Sequence, residues 1–316
     1  MRILFLGTPE FAVPSLETLI AWKDVTVVGL VTQPDRPAGR GKNIFPPPTK
    51  LVAERHGIPV LQPEKLSKAP EIVQAMQELK PDILVTVAFG QILKKNVLEM
   101  ARFGVMNVHG SLLPKLRGAA PINWSIINGD KITGVTTMYS DPGVDTGMML
   151  LKREMAITDD MDAESLAQAM SLVGADLLKE TLKRLMEGNL HPEAQNNDEA
   201  TMAPRLTKDM GNIDWNKSAT EIHNLVRGLA PWPGTYSHLD GQQVKIVSTK
   251  LFSGQHSKAE PGTITKCSGQ FLVACGQDGA EALEIIDVKP PSKGKMSAVS
   301  WANGARLKPG QKLSAG

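Results

Sequence analysis

The sequence predicts an α/β fold: an N-terminal Rossmann-like, mostly parallel sheet with helices on both faces, followed by a C-terminal OB-like β-barrel. Three observations predict it. Strand and helix patterns alternate from Ile3 to Glu187, and the first strands are apolar throughout, as in strands covered on both faces. From Thr235 onward, short strand patterns separated by turn residues follow one another without a helix between them. At 316 residues the chain is long enough for two domains with separate cores. We expect residues 1–190 to form the first, 191–207 a linker and 208–316 the second.

The first strand is Ile3–Leu6, ended by Gly7-Thr8-Pro9, and the helix after it places Leu16, Leu19 and Ile20 on one face. Val25–Val31 is the second strand, which completes a βαβ unit. Gln33–Lys42 is rich in Pro, Gly and cations with no apolar period, and reads as a long loop. A helix over Leu51–His56, a short strand near Ile58–Leu61, a helix carrying Ile72, Val73, Met76 and Leu79, and a buried strand Ile83–Ala88 continue the alternation. After the stretch Gly104–Pro114 come a helix over Ala119–Ile127 and a strand Gly134–Tyr139. A strand Met148–Met155 and a long helix Ala163–Glu187 closed by Gly188 follow. Asn196–Glu199 is a polar run without period. Beyond it Ser218 and Glu221 form a capping box for a helix with Ile222, Leu225, Val226 and Leu229 on one stripe. Five strand candidates follow: Thr235–Leu239, Val244–Phe252, Gly262–Lys266, Phe271–Cys275 and Leu283–Val288.

Composition narrows the function. Apolar content of 41% and charge of 22% suit a soluble globular protein rather than a fibre or a disordered chain. The apolar run at the N-terminus is too short for a secretory signal or a membrane span, so a reducing, cytoplasmic location in a bacterium is expected, with no membrane partner. Only Cys267 and Cys275 are present, in no metal-binding spacing, so neither a zinc site nor a disulfide framework is expected. The net charge of +2 hides an asymmetry. From Arg205 onward there are 14 Lys+Arg against 9 Asp+Glu, a balance of +5, whereas residues 1–204 carry 21 against 24. A basic C-terminal third points to a polyanionic partner. Gly7-Thr8-Pro9-Glu10-Phe11 lacks the glycines of a dinucleotide fingerprint, and Gly41-Lys42 lacks the rest of a phosphate loop.

The chemistry-bearing residues gather in two short stretches. In a strand, Asn107 and His109 point to the same face while Met106 and Val108 anchor the other. Asp145 lies about thirty residues on, in the turn Asp141–Gly147, also at a strand end, where an open α/β sheet places its ligand crevice. An amide, an imidazole and a carboxylate suit acyl transfer from an activated donor. Asn107 can donate to the oxygen that gains charge, His109 can donate to that oxygen or to the leaving nitrogen, and Asp145 can orient His109 or accept the proton lost by an attacking amine. With no nucleophile elbow and no nearby cysteine, an acyl-enzyme is not expected. The residue types alone leave a second reading open, in which His109 is a satisfied core residue and Asp145 a turn former.

Longer motifs separate the two. Asn107-Val108-His109-Gly110-Ser111-Leu112-Leu113-Pro114, Arg117-Gly118-Ala119-Ala120-Pro121-Ile122 and Asp141-x-Gly143-x-Asp145-Thr146-Gly147 resemble the folate-dependent formyltransferases. Gly7–Ala12 and Thr32–Lys42 are similar to the branch of that family that formylates methionyl initiator tRNA. The resemblance covers nearly the whole chain. It implies Asn107, His109 and Asp145 as the catalytic trio, and 10-formyltetrahydrofolate as formyl donor, lined by Ser111, Leu112, Leu113 and Pro114. It implies a loop that presents Arg36, Arg40 and Lys42 to the acceptor-stem region of the tRNA; no metal is expected, and a monomer is the expected state. A cationic, glycine-hinged loop is physically suited to phosphates. Lys245, Lys250, Lys289, Lys293 and Lys295 are candidates for further tRNA contacts. Met148 departs from the acidic residue that the family pattern carries after Asp-Thr-Gly.

Overall fold

The computed structural model describes residues 1–38 and 43–315. Arg40 and Lys42 of the predicted cationic loop lie outside the described residues. In chain order the first half holds β1 (Arg2–Gly7), α1 (Val13–Ala21), β2 (Thr26–Val31), β3 (Arg36–Ala38), β4 (Asn43–Phe45), α2 (Pro48–Arg55), β5 (Val60–Leu61), α3 (Pro70–Glu78), β6 (Ile83–Val87) and α4 (Lys95–Leu98). Then come β7 (Val105–His109), β8 (Arg117–Gly118), α5 (Pro121–Ile127), β9 (Ile132–Tyr139), β10 (Met149–Ala156), α6 (Ala163–Glu187) and β11 (Met202–Ala203). The chain divides into two compact units. One comprises residues 1–121, 132–156 and 166–204, and the other residues 122–131, 157–165 and 205–316.

In the first unit seven strands form one sheet in the order β10-β9-β7-β6-β1-β2-β5. The strands from β5 to β7 pair in parallel, and β9 and β10 are antiparallel additions at one edge. This is the predicted mostly parallel sheet. Its central strands read as continuous apolar runs because both faces are covered: Ile3 through Leu6 and Ile83 through Val85 are fully buried. Leu4, Leu6, Val28, Leu84 and Val105 share one cluster with Val73 and Met76 of α3. Within the predicted loop, Arg36–Ala38 is instead a short strand paired antiparallel with Asn43–Phe45. Three residues a side are too few to print a period, and Pro37 masks the pattern further. Phe45 and Ile44 stand exposed on β4.

The second unit holds α7 (Ala219–Leu229), β12 (Thr235–Leu239), β13 (Gln242–Leu251), β14 (Ile264–Lys266), β15 (Leu272–Cys275), β16 (Glu281–Lys289), β17 (Met296–Ser297) and α8 (Ala298–Ala305). Its strands form an antiparallel sheet in the order β12-β13-β16-β15-β14, with β17 on β16. The C-terminal segment bridges the two edges. Ser314 pairs with His238 of β12, and Lys312 pairs with Thr263 beside β14. The expected box caps α7: Ser218 Oγ accepts from the Glu221 N–H, and Glu221 Oε2 accepts from the Ser218 N–H. Ile222 and Val226 then face the barrel core with Val244, Ile246, Phe271 and Leu283, and Leu229 is buried as well. Sequence reading missed α8. Its small and polar residues show no apolar stripe, yet Trp301 buries itself against Phe271, ring centroids 5.7 Å apart.

Candidate functional site

The site is built at the C-terminal ends of β6 and β7. Thr86 of β6 lies beside Asn107 of β7 in the parallel register, and its hydroxyl donates to Asn107 Oδ1 at 2.8 Å. That bond orients the amide and leaves its two N–H donors free of Thr86. His109, two residues on, is buried, while Met106 and Val108 anchor the strand's other face at 0% and 3% exposure. Val108 lies under Gly174 of α6, where a Cβ would crowd it. The predicted alternation across β7 is therefore the observed one.

Both ring nitrogens of His109 have neighbours. Nε2 lies 3.0 Å from the Leu116 carbonyl, which can only accept, so the ring donates there. Nδ1 faces Asp145 Oδ2 at 3.6 Å. The same carboxylate oxygen accepts from the Gly118 N–H at 2.8 Å. Asp145 itself has φ +53°, the left-handed region that a non-glycine residue occupies only when its surroundings hold it there.

The loop around Asp145 explains how. Asp141 Oδ1 accepts from the Gly143 N–H and the Thr146 hydroxyl, closing a turn. Gly147 is packed so tightly that a Cβ would run into the Tyr139 carbonyl oxygen. Gln195 Nε2 donates to the carbonyls of Asp145 and Gly147, both at 2.8 Å, and Gln195 Oε1 accepts from Arg117 Nε at 2.9 Å. Beside this loop opens a cavity of about 490 Å³, lined by Tyr139, Asp141, Thr146, Gly147, Met148, Ala194, Gln195 and Asn197. Burial pushes the Tyr139 hydroxyl above its ordinary pKa, so it stays a neutral donor in that wall.

The structure thus brings Asn107, His109 and Asp145 together at the C-terminal end of β7. Ser111, Leu113 and Pro114 of the predicted folate segment are buried. Ser111 Oγ bonds the Lys115 carbonyl, and the Leu113 N–H bonds Thr136 Oγ1. Leu112 alone of the four keeps partial exposure. Arg36 pairs with Glu64 at 3.0 Å, both side chains well exposed. Lys245 and Lys289 stand directly opposite each other on β13 and β16, Lys250 opposes Glu284, and Lys295 pairs with Asp287 at 3.0 Å. Lys293 is exposed in the turn after β16.

Thr86, Gly118, Gln195 and Arg117 went unread as site residues. Arg117 and Gly118 carry a signal in their motif, whereas Thr86 looks like any strand residue and Gln195 sits in an unpatterned polar run. Cys275, buried and near Glu281, has its thiol pushed up to about 12, so it offers no nucleophile. Among the described residues no group of three or more His, Cys, Asp or Glu is placed to hold a metal, and no helix is long and apolar enough to cross a membrane.

Residues 1–182 match the family model described as formyl transferase, and residues 205–306 match that of the formyl transferase C-terminal domain. A methionyl-tRNA formyltransferase of Citrifermentans bemidjiense is 49% identical over 98% of this chain and 95% of its own length. One of Caldanaerobacter subterraneus subsp. tengcongensis is 46% identical over 98% and 99%. Among solved structures, the N-formyltransferase from Helicobacter canadensis in complex with folinic acid and dTDP-3-aminofucose has a TM-score of 0.66 at 22% identity, covering 90% of this chain and 99% of that one. HypX from Aquifex aeolicus in complex with tetrahydrofolic acid has a TM-score of 0.63 at 17% identity, over 96% and 47%. At such identities these two report the fold alone.

Proposed function

Because the chain belongs to the formyl transferase family, we propose that it transfers the formyl group of 10-formyltetrahydrofolate to the α-amino group of methionyl initiator tRNA. Near-full-length similarity to methionyl-tRNA formyltransferases selects this acceptor from those the fold serves. One observation carries the site assignment: an amide with free N–H donors, an imidazole and a carboxylate converge where a sheet of this type binds its ligand.

The roles follow from donors and acceptors. The amine must be neutral to attack, and its reference pKa of about 7.7–8.0 leaves much of it protonated at neutral pH. As its nitrogen bonds to the formyl carbon, Asp145 accepts a proton from it, directly or through water. Asn107 Nδ2 donates to the formyl oxygen as that oxygen gains charge. His109 donates through Nε2 to the Leu116 carbonyl, so the ring nitrogen left to face the reacting groups is Nδ1, on the side of Asp145. Scission of the bond between the formyl carbon and the folate nitrogen then leaves the bonding pair on that nitrogen, which takes up the proton Asp145 accepted from the amine and so restores the Asp145 carboxylate. Ser111–Pro114 would line the folate, with Leu112 the partly exposed residue of the four.

The β3–β4 pair follows β2, three strands from β7 at the same end of the sheet, or about 14 Å at the usual inter-strand spacing. This supports Arg36 as a residue within reach of an RNA end whose amine sits at Asn107, and the expected cations Arg40 and Lys42 would add to the same contact. The exposed Arg36–Glu64 pair is worth little and can be exchanged for a phosphate. The basic face with Lys245, Lys250, Lys289, Lys293 and Lys295 would add contacts to the tRNA backbone. One chain carries the whole trio, which supports a monomer, and a translation enzyme of this kind belongs in the bacterial cytoplasm.

The deciding experiment incubates the protein with methionyl initiator tRNA and 10-formyltetrahydrofolate and assays for formylmethionine. Free methionine, unacylated tRNA and an amino-sugar nucleotide serve as alternative acceptors. Formylation of the tRNA ester alone is expected. Formylation of the sugar instead would replace this reading.

A further inference from the structure

Asp145 is gripped at both ends. Its carboxylate is held by the Gly118 N–H, and its backbone, in the left-handed region, is held by Gln195. The two N–H groups of Gln195 straddle Thr146, one on the Asp145 carbonyl and one on the Gly147 carbonyl. Two carbonyls on either side of one residue fix the orientation of both peptide planes. The direction of the Asp145 side chain is thereby fixed as well. Gln195 cannot turn its amide over, because its oxygen accepts from Arg117 Nε, and the Arg117 guanidinium is held in turn by Asn197 Oδ1 at 2.9 Å. Arg117 is 7% exposed and precedes Gly118, so one short strand supplies both grips.

Gln195 lies in the stretch whose sequence reads as linker. The structure knits that stretch into the site. Thr201 Oγ1 accepts from the N–H of Leu116, whose carbonyl takes the His109 ring, and β11 pairs with β8. An interdomain tether needs none of these bonds.

We propose that Gln195, oriented by Arg117, is the positioning residue for Asp145, and that it sets the 3.6 Å approach of the carboxylate to His109. This rests on the formyl-transfer reading. Without Gln195 the two carbonyls are released to water and the loop leaves its left-handed turn. The carboxylate then swings from the imidazole while Asn107, His109 and the tRNA-facing surfaces stay in place.

The test uses the full-length protein with Gln195→Ala and Gln195→Glu. The glutamate keeps an acceptor for Arg117 but lacks the N–H donors, so both variants should behave alike. The expected result is a kcat lower by about 100-fold, the cost of misplacing a reacting group by about 1 Å. KM for methionyl-tRNA and Tm should stay close to those of the parent. The acid limb of the kcat profile should move, and the imidazole nitrogen signals of His109 in NMR spectra should change. Parent-level kcat in either variant would overturn the proposal. So would a loss of activity that merely tracks a loss of Tm, with the pH profile and the His109 signals unmoved. If the parent protein failed to formylate methionyl-tRNA, the functional reading would fall, and the His109 signals would still decide whether Gln195 positions Asp145.

Discussion

At the C-terminal end of β7, His109 and Asp145 are each held by backbone groups from other segments, and Asp145 adopts a conformation that costs free energy. On the barrel of the second unit, the candidate lysines are exposed, and two of them face each other across adjacent strands. The first region places few groups to within a fraction of an ångström. The second presents charge over an area. A single substitution should therefore be ruinous in the first and mild in the second.

The largest effect falls on the trio. Asn107→Ala and Asp145→Ala should each lower kcat by about 100- to 1,000-fold, the usual cost of a lost oxyanion donor or proton acceptor, with affinity for tRNA little changed. Steady-state kinetics with a filter-binding assay reads both. Turnover close to that of the parent in either variant would remove the assignment. Next comes the support behind Asn107. Thr86→Val keeps the shape but leaves the Asn107 carbonyl without its donor, so the amide is free to rotate and kcat should fall by about 10-fold, worth one hydrogen bond of ordinary strength. A crystal structure of that variant with the amide still in place and full activity would show that Thr86 orients nothing.

Charge over an area gives smaller, additive effects. Lys245→Ser and Lys289→Ser should each raise KM for the tRNA a few-fold and leave kcat alone. Each should also reduce the slope of log affinity against log salt by about one. Like charges directly opposite on neighbouring strands destabilise the sheet. Removing either one should therefore raise Tm slightly while weakening binding. Variants that lost both together would place this pair in the fold rather than at an RNA surface.

The same contrast governs what could be read from the sequence. The sheet was legible because strands covered on both faces print continuous apolar runs, as Ile3–Leu6 does, and the barrel because its turns punctuate short strands. Asn107 and His109 were legible because period two puts them on one face of β7, and Asp145 because glycines mark its turn. What stayed hidden acts through space rather than along the chain. Gln195 meets Asp145 across fifty residues and Leu116 meets Thr201 across eighty-five. Neither leaves a periodic trace. Trp301 was missed for the opposite reason, since one large residue on a helix of small ones makes no stripe.

The second unit also contains a buried histidine. Burial, then the neighbouring Arg227, holds His223 below its ordinary value of about 6.5. Its Nδ1 lies 2.8 Å from Thr249 Oγ1, while Arg227, Asp159 and Lys131 supply the charges around it. The unfolded chain therefore takes up a proton at a higher pH than the folded one. The stability His223 contributes is complete above about pH 6.5 and declines as pH falls from there through its lowered folded value. Denaturation midpoints measured from pH 7.5 down to pH 5 should fall for the parent and fall less for His223→Gln, which retains a polar partner for Thr249 but does not titrate. The effect is confined to the second unit, so kcat at saturating tRNA should not follow it. Were kcat of the parent to drop in step with the midpoint while His223→Gln held both steady, the barrel would have to be coupled to the reacting groups, and the separation between placed groups and presented charge would fail.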